Sequence, residues 1–166
     1  MNPPDLQQIR AAVAQDPRNA ELRYLLGAEL AQQKEYDAAV IEMSNALALD
    51  PKLHFARFQL GLLYLTMAQP ANSLATWAPL EELDETAALK FFKRGLEALI
   101  RDDFDTCVGL LRQGIRLNKQ NAPLNQDMTL VIDRVDEAYV STRPGAEIDA
   151  TRAKFSMYGE PRGLKH

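Results

Sequence analysis

The chain has 166 residues, 46% hydrophobic and 25% charged, with a formal net charge of −4 and a pI near 5.2, which predicts one soluble domain with a core large enough to fold alone. The acidic balance argues against nucleic acid or an acidic membrane surface as the main partner, and a single cysteine excludes an intrachain disulfide. No apolar run approaches the roughly 18 residues of a membrane span, and the opening MNPPDLQQIR lacks a basic region followed by an apolar stretch, so the cytoplasm is the expected compartment.

Taken in order, Pro3 and Pro4 precede a helical pattern over 5–15, with Leu6, Ile9 and Val13 three and four residues apart. Helices are then predicted over 20–33 and 37–49, joined by the polar turn Lys34-Glu35, with Tyr36 opening the second helix. A second pair covers 54–68 and 71–83, broken at Gln69-Pro70. It carries Trp77 at a core position and Pro79 inside a helix, where proline removes a hydrogen bond and costs about 3 kcal/mol or more. A bent or shortened helix is expected there. A third pair, 88–100 and 104–117, meets across Asp102-Asp103. One more helix follows over 123–140, with Pro123 in its first turn and Leu124, Met128, Ile132 and Val135 on one face. From Ser141 the composition changes to three Gly, two Pro and five basic residues against three acidic, which reads as a flexible tail. Phe155, Met157 and Tyr158 lie close together in that tail and read as a candidate docking motif.

The helix pairs are repeats. Stepping about 34 residues at a time aligns Gly27, Gly61 and Gly95, and likewise Asp16, Asp50, Asp84 and Asn118. Tyr24 steps to Phe58 and Phe92, Ala39 to Ser73 and Cys107, and Leu49 to Leu83 and Leu117. A glycine in mid-helix costs about 0.8–1.0 kcal/mol relative to alanine, so close packing of the second helix must offset it. The Ala39/Ser73/Cys107 column is small for the same reason on the facing helix. Asp16-Pro17 and Asp50-Pro51 end one helix and orient the next, because a residue before proline is pushed out of the α region. Arg94 stands where Leu26 and Leu60 do, and Gly114 where Ala46 and Leu80 do, so the third hairpin is expected to pack less tightly.

This pattern resembles the tetratricopeptide repeat, a helix–turn–helix unit. The resemblance implies an all-α, right-handed α-solenoid of three hairpins, 20–53, 54–87 and 88–121. Residues 1–19 and 122–140 would supply the N- and C-terminal capping helices that repeat arrays need, and 141–166 the tail. In that family the first helices of successive hairpins line a concave groove. Position by position, this implies a peptide-binding groove of Tyr24 in the first repeat, Phe55, Phe58, Gln59, Leu62 and Leu65 in the second, and Leu89, Phe92, Lys93, Leu96 and Leu99 in the third. Phe58 and Phe92 would be central anchors, with Gln59 and Lys93 as polar guides. Of the positions that clamp acidic chaperone tails in some family members, only Lys93 is basic here, so that clamp is not expected to work.

No catalytic constellation stands out. His54 and His166 lack partners in metal-ligand or triad spacing, Cys107 occupies a buried small-residue column, and no Gly-rich phosphate loop is present. An enzyme, a metal and a cofactor are therefore not expected. The expected role is a protein-binding adaptor whose groove takes an apolar peptide or helix segment of a protein partner. The alternatives are a small chaperone of bacterial secretion, and a subunit that self-associates as a homodimer through the groove or tail.

Overall fold

The structure, a computed structural model, describes residues 4–141; the candidate docking motif Phe155, Met157 and Tyr158 lies outside the described residues. The described residues are helical, without strands, and form two compact units, the first ending at Thr76 and the second beginning at Trp77.

The first unit holds α1 (Leu6–Gln15), α2 (Ala20–Gln32), α3 (Tyr36–Leu49), α4 (His54–Thr66) and α5 (Pro70–Trp77), whose last residue opens the second unit. Asp5 and Gln8 start α1 with a capping box: the Asp5 carboxylate accepts from the Gln8 N–H at 2.9 Å, and the Gln8 side chain accepts from the Asp5 N–H at 3.2 Å. Ile9 and Val13 are buried, and α1 packs against α2. Between α2 and α3 the backbones come so close that a Cβ on Gly27 would lie 2.7 Å from Met43 Cγ and 3.1 Å from the Ala39 carbonyl oxygen. At the next hairpin the Ser73 hydroxyl, fully buried, donates to the Gly61 carbonyl at 2.8 Å and ties α5 to α4. The serine in the small-residue column thus fits the tight contact and satisfies its own polar group there.

The second unit holds a 3-10 segment (Ala78–Glu82), α6 (Ala88–Ile100), α7 (Phe104–Leu117) and α8 (Ala122–Ser141). Pro79 has the expected effect: α5 stops at Trp77, and the chain continues as the 3-10 segment with proline in its first turn. In the α6–α7 hairpin a Cβ on Gly95 would lie 2.7 Å from Leu111 Cδ2, the same close approach as at Gly27. The expected looseness at Gly114 is not found. Gly114 is buried, and the Phe92 ring occupies the space where its side chain would begin, so the glycine receives a large ring rather than leaving a gap. Arg94 reaches Glu81 and Glu85 instead of entering the core. On α8, Leu124, Met128, Ile132 and Val135 are buried, and Asn121 caps the helix by accepting from the Leu124 N–H at 3.0 Å.

The repetition seen in the sequence also runs through the backbone. Lys34, Ala68 and Asp102, one repeat apart, end α2, α4 and α6 in the left-handed conformation, with φ of 65°, 57° and 61°. After each, an N–H reaches back to the helix: Glu35 to the Leu30 carbonyl, Gln69 to Tyr64 and Asp103 to Ala98, all at 2.9 Å. With the N–H of Lys34, Ala68 and Asp102 donating to Ala31, Leu65 and Leu99, each turn is a complete Schellman motif. The junctions between hairpins repeat as well. Asp50 accepts from the Lys52 N–H at 2.9 Å and Asp84 from the Thr86 N–H at 2.8 Å. Arg23 and Arg57, also one repeat apart, donate to the Pro17 and Pro51 carbonyls at 2.7 and 3.2 Å. Asp50 and Asp84 therefore work through their side chains, Asp50 also through the proline that follows it.

Candidate functional site

The expected groove residues lie on α2, α4 and α6, the first helices of their hairpins. In the first unit Tyr24 of α2 and Phe55 of α4 come together, ring centroids 6.0 Å apart and planes at 83°, an edge-to-face pair. Both residues are half-buried, and partial burial pushes the Tyr24 hydroxyl up to about 12, so it stays a neutral donor at physiological pH. Gln59, about one turn along α4 from Phe55, is half-buried. Phe58, Leu62 and Leu65 are not open: their exposures are 0%, 2% and 0%.

The second unit is similar. Leu89 is half-buried, whereas Phe92, Leu96 and Leu99 are buried. Phe58 and Phe92, expected as central anchors, are therefore closed in the free chain. The reason is visible for Phe92, whose ring fills the space over Gly114. Such closure is what a helix apolar on nearly all sides requires. The expected groove keeps accessible surface at Tyr24, Phe55, Gln59 and Leu89 only.

Lys93 is not a free guide either. It is 5% exposed, and its ammonium donates to Glu81 at 2.7 Å and pairs with Glu97 at 3.0 Å. Lys90, 4% exposed, donates to the Leu83 carbonyl at 3.0 Å and to Glu85. Arg94 completes the network through Glu81 and Glu85. The Arg94 guanidinium first, then the Lys93 ammonium, hold the Glu81 carboxyl down to about 2. This network joins the 3-10 segment and the loop after it to α6, which is a structural task. Its charges are paired within the chain.

Among the described residues no group of three His, Cys, Asp or Glu side chains is placed to hold a metal ion. Cys107 is fully buried, and burial first, then Asp103, pushes its thiol up to about 12, far from a nucleophilic thiolate. No described helix is long and apolar enough to cross a membrane. One feature of the second unit was not anticipated from the sequence: a cleft of about 340 Å³ between α7 and α8, over Gly109. The available signal was Gly109 itself, a glycine inside a predicted helix but outside the repeating glycine column. No protein-family model matches the chain, and no curated protein matches it in sequence.

Proposed function

We propose that the chain is a non-enzymatic protein-interaction scaffold of the tetratricopeptide type, working in the cytoplasm, that holds an apolar peptide or helix segment of a protein partner. The half-exposed Tyr24–Phe55 ring pair carries this reading. It joins the first helices of consecutive hairpins, and in this class of repeat those helices face the ligand. Paired rings with part of their surface open are the usual anchors of a protein interface, because they give large contact area for little lost side-chain freedom. Gln59, on the same helix as Phe55, would supply a hydrogen bond to the backbone of a bound segment. The net charge of −4 favours a protein ligand over nucleic acid or an acidic membrane.

The test is selection of ligands from a displayed random-peptide library, followed by titration of a selected peptide. The expected result is an apolar or aromatic consensus whose binding weakens roughly a hundredfold when Tyr24→Ala and Phe55→Ala are combined, as loss of two interface anchors predicts. The helical circular dichroism of that variant should be unchanged. Failure to select any peptide, or equal binding by the variant, would overturn the proposal.

A further inference from the structure

Three helical glycines of the chain are explained by what touches them. A side chain at Gly27 would meet Met43, one at Gly95 would meet Leu111, and one at Gly114 would meet the Phe92 ring. Gly109, inside α7, is different: it is exposed, and among the described residues nothing lies within 4 Å of where its Cβ would be. A glycine there weakens the helix, and no contact among the described residues repays it. The space it leaves is the cleft between α7 and α8.

The walls of that cleft have a definite chemistry. Phe104 of α7 and Tyr139 of α8 form an edge-to-face pair, centroids 5.4 Å apart at 79°, and Tyr139 remains 47% exposed. Asp105 and Arg112 line it from α7 and Asp136 from α8, leaving carboxylates in excess of cations. Arg112 and Asp136 pair only loosely, at 4.0 Å with side-chain exposures of 59% and 57%. An ion pair of that kind contributes little and exchanges readily for a better one.

The geometry points to this cleft as a binding site for an arginine or lysine side chain of a partner peptide, separate from the Tyr24–Phe55 surface. The cation would lie in the space over Gly109 against the aromatic rings and pair with Asp105 and Asp136. Cation–π attraction and a carboxylate partner act together in such a setting. The match is one of charge and shape: an acidic wall, an aromatic wall and a floor that no described residue fills.

The test uses the isotope-labelled full chain, titrated with N-acetyl-arginine amide and followed by amide chemical shifts. N-acetyl-citrulline amide, equal in shape but uncharged, is the control. Shifts are expected to concentrate in 104–112 and 136–139, to be absent with citrulline, and to require roughly tenfold more ligand in Asp136→Asn. Gly109→Leu should fill the floor, raise the melting temperature by restoring helix propensity, and abolish the shifts. Equal shifts with citrulline, no shifts with either probe, or normal binding by Gly109→Leu would overturn the assignment. A silent wild type beside a responsive Arg152→Glu/Lys154→Glu variant would overturn it too, by making the chain's own C-terminal segment the occupant.

Discussion

Ala68 adopts a left-handed backbone without the freedom that makes such a conformation cheap. An L side chain there costs about 1–2 kcal/mol, and glycine avoids it. Ala68→Gly should therefore stabilise the protein by about 1 kcal/mol after the larger unfolded-state entropy of glycine is subtracted. The reverse exchange at Gly114 should destabilise by about 1–3 kcal/mol, because a methyl group there overlaps the Phe92 ring and forces it to move. Urea unfolding of the two variants checks both signs. If Gly114→Ala were neutral, the ring could not be seated as described. The sequence marked Gly114 as a departure from its column, which was correct, but one chain of letters could not tell a void from a seat. That depends on where a ring from the facing helix points.

At the scale of elements, Pro79 and Glu81 act in succession. Proline ends α5, and Glu81, a few residues on, holds the 3-10 segment to α6 through Lys93 and Arg94. The Glu81 carboxyl titrates near 2 in the folded chain and near its ordinary value, about 4.3, when unfolded. A carboxyl lowered by folding contributes stability that is fully present above the unfolded value and is lost as the pH falls through the folded one. The melting-temperature difference between wild type and Glu81→Gln should thus be constant above about pH 5 and shrink toward pH 2. A difference that persisted unchanged at pH 2 would mean that the charge of Glu81 is not what holds the segment. The network was illegible in the sequence because Lys93 read as a polar guide of the groove and Arg94 as a misfit in a leucine column, and only the turn after Pro79 brings Glu81 to both.

For the molecule as a whole, the distinction that matters is between aromatic residues the chain keeps and those it offers. Phe58 and Phe92 have no exposure, so Phe58→Ala should cost about 3–5 kcal/mol. Phe92→Glu, which places a carboxylate against Gly114 in a sealed site, should abolish cooperative unfolding. Circular dichroism melts of the single and double variants check this, and a double variant that folds normally would return both rings to the proposed binding surface.

The sequence by itself determined the helices and the packing of neighbours along the chain. Period, small columns and Asp-Pro breaks are local or fixed-interval features, and packing rules translate them directly. The breakpoints at Asp16, Asp50 and Asn118 fall where the pattern puts them. Only the tertiary structure decided which apolar residues stay open. Tyr24, Phe55, Phe58 and Phe92 read alike on helices of the same type, yet exposure depends on what the rest of the chain places over each ring. The cleft over Gly109 follows the same logic. A glycine is one letter wherever it stands, and whether it admits a neighbour or leaves room for a ligand is a matter of the space around it.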